Sequence, residues 1–429
     1  MNAHPLITTL KNLRGNARGV VYTEALWGIP YNLYAPYVSI YMLAIGLNDV
    51  QVGLITSIGM AFQIVSTLLS GAITDKLGRK RTTLIFDTIS WSIPCLIWAI
   101  AQDFNYFLLA AIVNSIWRVT ANSWQCLLVE DTDPKILLDV YSWIYIAGLV
   151  AAFFSPITGV LIGQFSLVPS LRGLYLLSFL MMTTKFIVMN GIVSETRRGQ
   201  VRMHETRGQP LITVVRESPA VLKRILHTPA TLVTAALMLL LNICWLVKGT
   251  FWSILVTEKL GIPPEYLVIF TFARSIIMLL FFFFVMPRLG DMDVRKPLLI
   301  GLVGLVVSQV ILINVPSGGY LPLMVATVLE AACTPLATAL LDKLTVITVD
   351  AAERARIMAI LSVAMLIFTS PFGWIAGQLS EMDRSLPFVL NTALFAIGGV
   401  LTLVAIRHVS GHVGNQMSAE QPVEAIPTT

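Results

Sequence analysis

Charged side chains are scarce in this sequence, and their scarcity decides the class of protein. Only 12% of the 429 residues are Asp, Glu, Lys or Arg, whereas 56% are hydrophobic. Soluble globular domains carry about 25% charged residues. The composition therefore excludes a water-soluble protein and predicts a chain that crosses a membrane several times.

Signatures of several chemistries are also missing. The four cysteines, Cys95, Cys126, Cys244 and Cys333, stand singly in apolar runs, without the spacing of a metal site or a redox pair. The sequence has no G-x-x-x-x-G-K-[ST] phosphate loop, no H-E-x-x-H and no G-x-S-x-G motif. We therefore expect no ATP motor, no metal or other cofactor, and no enzymatic activity.

Long apolar runs predict an all-α membrane protein with twelve transmembrane helices in two six-helix bundles. The predicted helices cover residues 20–45, 51–73, 82–101, 104–129, 138–164, 171–194, 229–257, 264–287, 297–315, 319–347, 354–378 and 386–408. They divide the chain into an N-terminal segment (1–19), an N-terminal bundle (20–194), a polar linker (195–228), a C-terminal bundle (229–408) and a disordered tail (409–429). Within the linker, residues 211–226 form either an amphipathic surface helix or a disordered basic stretch.

Basic residues set the expected orientation. Most of the 29 Lys and Arg residues fall in the predicted loops on one side and in the polar linker. Because basic loops stay in the cytoplasm, we expect both termini to be cytoplasmic. Nucleic-acid binding is the poorer explanation, since the basic residues are spread over short loops.

The two halves share short patterns at offsets of 214 to 216 residues, among them Ser155-Pro156, which recurs as Ser370-Pro371. Asp75-x-x-x-Arg79-Lys80 recurs 216 residues later as Asp291-x-x-x-Arg295-Lys296. Such self-similarity predicts two related bundles arranged as a parallel repeat.

A charged hairpin between the second and third predicted helices carries a family resemblance. Its defining residues are Gly71, Asp75, Lys76, Gly78, Arg79 and Lys80. This stretch resembles the G-x-x-x-D-[RK]-x-G-[RK]-[RK] loop of the major facilitator superfamily. The resemblance implies a monomeric secondary transporter in the plasma (inner) membrane, which moves a small molecule by alternating access. It also implies that Asp75 and Arg79 join acids at the end of helix four, Glu130 and Asp131, in a latch between the halves.

Charges inside the predicted helices are few, and each costs roughly 2.5–3.5 kcal/mol on insertion scales unless a wet cavity or a partner compensates it. They are Glu24, Asp87, Arg118, Lys185, Lys248, Arg274, Glu330, Asp342 and Lys343. We therefore expect cavities or ion pairs at these positions.

Polar residues form a stripe on helix four. Asn114, Arg118, Asn122 and Gln125 recur at spacings that place them on one helical face. By resemblance, helices one, four, seven and ten line the central cavity, which predicts that this stripe binds substrate. The alternative is that the amides only join neighbouring helices.

Aromatic residues form a second stripe, on helix one. Glu24, Trp27, Tyr31 and Tyr34 share a face of this helix. Rings beside a carboxylate can hold an amphiphilic or cationic ligand, although the same rings could simply pack between helices. We add to this predicted substrate site Trp245 and Lys248 of helix seven and Arg274 of helix eight.

Glu330 is the first candidate for a proton carrier. The stretch from Glu330 to Thr334-Pro335 resembles one in proton-coupled multidrug exporters of the superfamily. We also include Glu24 and Asp139 as proton-coupling candidates. The alternative is a permanent ion pair between Glu330 and Arg274, with the carboxylate held ionised.

The resulting prediction is a proton-coupled antiporter for the efflux of amphiphilic or drug-like compounds. Arg118, Lys248 and Arg274 favour an alternative, a proton-coupled transporter of organic anions. A transporter-like sensor or receptor is an alternative of another class.

Overall fold

The computed structural model describes residues 5–208, 229–285, 295–348 and 354–419, which form helices joined by short loops, with no strand among them. The N-terminal helices are α1 (Pro5–Asn12), α2 (Gly15–Thr23), α3 (Ala25–Tyr34), α4 (Val38–Ala44), α5 (Asp49–Leu77), α6 (Arg79–Asp87), α7 (Ile93–Ala99), α8 (Phe104–Asn114), α9 (Trp117–Val129), α10 (Leu137–Ala152), α11 (Pro156–Phe165), α12 (Leu167–Ile192) and α13 (Arg197–Glu205). The C-terminal helices are α14 (Pro229–Ile254), α15 (Leu267–Phe284), α16 (Arg295–Ile313), α17 (Tyr320–Thr348), α18 (Arg354–Thr369), α19 (Pro371–Met382) and α20 (Leu386–Ala419).

Within the described ranges, nine helical stretches are long and apolar enough to cross a membrane. The three other predicted spans are divided or short. Helix one is divided into α2, α3 and α4, helix four into α8 and α9, and the apolar part of α16 covers only Pro297–Ile313. The division between α3 and α4 has a local cause, because Pro36 removes a backbone N–H donor there, whereas Pro30 lies inside α3. The count of twelve spans stays a prediction.

The same dipeptide divides one helix in each half of the chain. Ser155-Pro156 begins α11 directly after α10, and Ser370-Pro371 begins α19 directly after α18. Proline is tolerated in the first turn of a helix, where its missing N–H would have no partner. The shared dipeptide therefore places a bend at corresponding points of the two bundles.

Contacts between the bundles concentrate where α5 begins, against α18 and α19. Glycines allow the two backbones to touch there. A β-carbon on Gly377 would lie 2.9 Å from the carbonyl oxygen of Asp49, and one on Gly373 would lie 2.9 Å from that of Gly53. We name this end of the molecule the gate end, and the opposite end, where α5 meets α6, the latch end.

One difference from the predicted domains concerns the end of the chain. Helix α20 continues to Ala419, so part of the segment for which disorder was predicted is helical. Outside the described residues lie the predicted linker helix (211–226), Asp291 and residues 420–429, and the side chains of Asp342 and Lys343 are likewise not described.

Candidate functional site

A cavity of about 470 Å³ lies within the N-terminal bundle, and we name it the aromatic cavity. Its volume falls in the range of small-molecule sites. Side chains from α3, α6, α9, α12 and the loops beside them form its lining: Glu24, Trp27, Tyr31, Asp87, Trp91, Trp117, Thr120, Ala121, Trp124, Gln125, Lys185 and Phe186.

Packed rings form one wall of the aromatic cavity. Trp27 and Tyr31 stack with their ring centroids 4.8 Å apart, and Trp91 meets Trp27 edge-on at 5.1 Å. The indole N–H of Trp124 is buried and has no acceptor among the described residues. A buried donor without a partner is costly.

Three buried ionisable side chains form the floor of the cavity, and we name them the N-terminal trio: Glu24, Asp87 and Lys185. The Nζ atom of Lys185 donates to Oε2 of Glu24 at 2.9 Å. Asp87 is 6% exposed and lies within electrostatic range of both residues. The trio therefore holds two carboxyl groups for one ammonium group. The sequence pattern assigns no role to Asp87 or Lys185. Their positions inside predicted transmembrane spans could have indicated one, because a charged side chain in the membrane is costly and marks a functional position.

A second trio lies in the C-terminal bundle, and we name it the C-terminal trio: Lys248, Arg274 and Glu330. These side chains line a small cavity of about 30 Å³. Glu330 is 7% exposed and forms an ion pair with Lys248. The predicted alternative of a pair between Glu330 and Arg274 is wrong, because α14 places the lysine beside the carboxylate. Within the described part of the chain, Arg274 has no carboxylate at ion-pair distance, so this trio has two bases for one acid.

A connecting cavity of about 230 Å³ lies between the aromatic cavity and α14. It shares Tyr31 and Trp91 with the aromatic cavity. On its other side it reaches Gly249 and Thr250, which directly follow Lys248. The predicted binding residue Tyr34 also lines it, and the Tyr34 hydroxyl is buried without a partner among the described residues.

Arg118 lies beside the aromatic cavity and does not line it. Its Nε donates to Oε1 of Gln63 at 2.9 Å, and its guanidinium carbon lies 4.2 Å from the ring centroid of Trp117. The guanidinium is therefore held by the N-terminal bundle, and it orients one tryptophan of the cavity wall.

The amides of the predicted helix-four stripe have separate contacts. Asn114 donates to a backbone carbonyl in the π-helical segment between α6 and α7 at 2.7 Å, and Asn122 donates to a threonine of α5 at 3.3 Å. Gln125 lines the aromatic cavity and donates to a tyrosine of α10 at 3.2 Å. The structure thus gives Asn114 and Asn122 the helix-joining role that was the alternative, and places Gln125 at the cavity.

Two other predicted site residues lie away from the three cavities described here. Trp245 is 38% exposed and lines none of them. Asp139 accepts a hydrogen bond from the Thr9 hydroxyl at 2.6 Å, which ties α10 to α1. Asp139, a predicted proton-coupling residue, therefore holds the N-terminal helix in this structure.

The predicted latch residues form a network at the latch end. Arg79 is 4% exposed at its side chain and pairs with Asp75 at 3.0 Å and with Glu130 at 3.1 Å. Gly78 has a φ of +84°, which favours glycine at this turn. The predicted contact of Arg79 with Glu130 is therefore present, but all these residues belong to the N-terminal bundle, so in this conformation the network does not join the two halves.

Helix α13 takes a part in this network that the sequence pattern did not predict. The Glu195 carboxylate, just before α13, accepts the backbone N–H groups of Arg79 at 2.9 Å and Lys80 at 3.0 Å. Arg202 of α13 pairs with Asp75 at 2.8 Å, and this hydrogen-bonded pair raises the pKa of Arg202. The segment after α12 is therefore fastened to the start of α6.

Two other predicted latch residues, Gly71 and Asp131, take no part in this network. A β-carbon on Gly71 would meet open space, and Asp131 is exposed and takes no part in the network described above.

Ion pairs also join the bundles at the gate end. Asp49 of α5 is 2% exposed, accepts from the Ser380 hydroxyl at 2.5 Å and lies 3.3 Å from the Nε of Arg384. Nearby, Lys259 donates to Asp383 at 2.5 Å, which lowers the pKa of that carboxyl. The Asp49 contacts cross from one bundle to the other and hold the gate end closed. The sequence pattern places Arg384 in a loop and indicates no partner for it.

Comparisons with known proteins agree with this architecture. The sequence model of the MFS_1 like family matches residues 32–389. An uncharacterized MFS-type transporter, YqjV of Bacillus subtilis (strain 168), is 26% identical over 131 residues, which cover 30% of this chain and 32% of that protein. The match thus spans about a third of the curated relative.

Solved transporter structures share the fold. A mutant form of the nucleoside transporter NupG aligns with a TM-score of 0.73 at 13% identity, covering 91% of this chain and all of that one (100%). A bacterial homolog of the human lysosomal transporter Spinster, in an inward-facing and occupied conformation, aligns with a TM-score of 0.69 at 12% identity, covering 95% and 98% of the chains. The POT family transporter PepTSo gives 0.68 at 11% identity, covering 92% and 98%. At these identities the likeness shows the fold alone.

Proposed function

The chain belongs to the MFS_1 like family of membrane transporters, and we propose that it exports an amphiphilic, drug-like solute in exchange for protons. In this proposal it works as a monomer in the plasma membrane, with the latch end and both termini in the cytoplasm. The two bundles rock about the connecting cavity, which residues of both line.

The aromatic cavity is the observation that carries this proposal. It combines packed tryptophans, an indole N–H without an acceptor among the described residues, and two carboxyl groups within one volume of about 470 Å³. Rings and carboxylates together recognise a solute with an apolar body and a polar or basic group. A purely structural core would fill this space with side chains.

The N-terminal trio is the better candidate for the proton site. When one of its carboxyl groups takes a proton, Lys185 keeps the other as its partner, so no buried charge is left alone. Protonation of Glu330 would leave Lys248 and Arg274 together without a counterion in the trio. We therefore propose Asp87 and Glu24 as proton carriers, and a charged role for Glu330.

Two arguments support export. Protons that flow inward down their gradient drive an exchanged solute outward, and the stretch from Glu330 to Pro335 resembles one in exporters of the superfamily. Moving one charge down 100 mV supplies about 2.3 kcal/mol. This is somewhat under a hundredfold solute gradient, since each tenfold step costs about 1.4 kcal/mol. One or two protons per solute are enough to drive export.

Proton movement in proteoliposomes tests the proposal. Purified protein is reconstituted with a pH dye inside, and a panel of amphiphilic amines and aromatic acids is added outside. The proposal predicts a solute-dependent pH change that an ionophore abolishes. Labelled-solute uptake without any pH change would contradict proton coupling and indicate a facilitator, whereas binding without uptake would indicate a sensor.

A second candidate function is the proton-coupled transport of organic anions. Arg274 favours it, because this guanidinium lies beside Lys248 and has no carboxylate at ion-pair distance in the described part of the chain. In the same assay, a pH change with the aromatic acids alone would support this function over the export of amphiphilic amines.

A further inference from the structure

The two trios carry opposite net charges across the bundle interface. With every side chain ionised, Glu24, Asp87 and Lys185 sum to one negative charge, whereas Lys248, Arg274 and Glu330 sum to one positive charge. We infer that the solute is amphoteric, with its basic group bound by the N-terminal trio and its acidic group by the C-terminal trio. This inference rests on the proposed function and names its substrate class.

The basic group has a site in the aromatic cavity. Lys185 forms its ion pair with Glu24, so the charge of the buried Asp87 needs a further cation to balance it. The walls suit such a cation, because the Lys185 ammonium itself lies 5.8 Å from the ring centroid of Trp27. A cation near an indole face gains from the negative potential of the ring.

The acidic group has a site at Arg274. The guanidinium lines the C-terminal cavity, while its neighbour Lys248 is engaged by Glu330. A guanidinium offers two parallel N–H donors, which fit the two oxygens of a carboxylate or of a phosphate. The shared chemistry is an oxyanion, and the experiment below separates its two sources.

The two sites lie at a similar depth, and a cavity extends from one toward the other. Asp87 comes eight residues after α6 starts at the latch end, or about 12 Å along the helix axis, and Glu330 comes ten residues after α17 starts at the gate end, or about 15 Å. In a hydrocarbon core about 30 Å thick, both depths lie near the midplane. The connecting cavity shares Tyr31 and Trp91 with the aromatic cavity and reaches helix α14 at Gly249, one residue from Lys248 of the C-terminal trio.

Charge balance favours one amphoteric solute over a solute of single charge. A solute with only a positive group would leave the positive charge of the C-terminal trio unbalanced. A solute with only a negative group would leave the negative charge of the N-terminal trio unbalanced. An uncompensated charge away from water is expensive. An amphoteric solute neutralises both sites in one binding event.

A matched probe series tests this inference by binding alone. The amphoteric probes are 4-(ω-aminoalkyl)benzoates with spacers of different lengths. The controls are the same alkylamines without the carboxylate, the same benzoates without the amine, and phosphonates in place of the carboxylates. Tryptophan fluorescence of the detergent-purified protein reports binding, since four tryptophans line the aromatic cavity. We expect the best amphoteric probe to bind about tenfold or more tighter than either singly charged control, because each hydrogen-bonded charge contributes to binding.

Two variants assign the two ends of the probe. Asp87→Asn should remove the affinity that the amine of the probe contributes, and Arg274→Gln should remove the affinity that its carboxylate contributes. Arg274→Lys should keep part of the carboxylate's contribution. Asp103→Asn, which preserves a helix cap, and Arg198→Gln, at an exposed position, are the matched controls. Stronger binding of the phosphonates than of the carboxylates would identify a phosphate group as the natural oxyanion and support the site.

The inference is overturned if the amines bind as tightly as the amphoteric probes, or if no amphoteric probe binds at any spacer length. It is also overturned if Arg274→Gln changes the affinity of neither the amphoteric probes nor the benzoates. Its failure is separable from that of the proposed function. Amphoteric preference without flux would refute transport alone, and proton-coupled flux of singly charged solutes without preference would refute the amphoteric class alone.

Discussion

At the scale of single residues, the charged groups inside the bundles are defined by their partners. Lys185 is 4% exposed and pairs with Glu24, with Asp87 in electrostatic range, and the Arg79 side chain, likewise 4% exposed, pairs with both Asp75 and Glu130. Buried charges are tolerated only when neighbours compensate them. Each such group is therefore a point at which one substitution has a large effect.

Lys185→Met should destabilise the protein by about 3–5 kcal/mol, because it leaves Glu24 and Asp87 facing each other without a cation. Thermal unfolding of the detergent-purified protein measures the loss. The double variant Glu24→Gln with Lys185→Met should recover part of it, since a single remaining carboxyl group can take a proton. Equal melting temperatures for wild type and Lys185→Met would show that the trio is not coupled.

At the scale of helices, short contacts between backbones and caps decide which elements move together. Glu195 accepts two N–H groups at the start of α6, where the helix has no partners of its own for them. At the gate end, Gly53, Gly373 and Gly377 allow α5 to touch α19. The first contact holds one bundle together, and the second joins two bundles.

Glu195→Ala should release the start of α6 and cost about 1 kcal/mol, as the loss of a helix cap does. Hydrogen exchange should then be faster at the amides of Arg79 and Lys80. Glu205→Ala is the matched control, because Glu205 contacts Arg202 at the far end of α13. Unchanged exchange at both amides in the Glu195 variant would contradict the cap.

Gly377→Ala should open the gate end, because the new β-carbon would lie 2.9 Å from the carbonyl oxygen of Asp49. Overpacking of this kind costs about 1–3 kcal/mol. A cysteine introduced at Thr56, which lines the connecting cavity, should then react faster with a thiol reagent added at the gate end. Gly163→Ala, where a β-carbon meets open space, should leave the rate unchanged. Equal rates in both glycine variants would mean that this contact does not hold the gate.

At the scale of the whole molecule, the sequence predicts what depends on order along the chain. Apolar runs predicted the all-helical membrane fold, which is confirmed, and the family motif predicted the superfamily. The face shared by Trp27 and Tyr31 follows from helical spacing, and the structure places both at the aromatic cavity. The sequence does not show which helices are neighbours, so it could not pair Lys185 with Glu24 or Glu330 with Lys248.

The central claim is that protons are carried by the N-terminal trio, and the proton-to-solute ratio in proteoliposomes tests it most directly. Asp87→Asn should lower the ratio to near zero, since a proton on the one remaining carboxyl group would leave Lys185 without a counterion in the trio. Glu330→Gln should keep the wild-type ratio, whatever its rate, and Asp103→Asn serves as the control. A ratio that is lost in Glu330→Gln and kept in Asp87→Asn would contradict the account and identify Glu330 of helix α17 as the proton carrier.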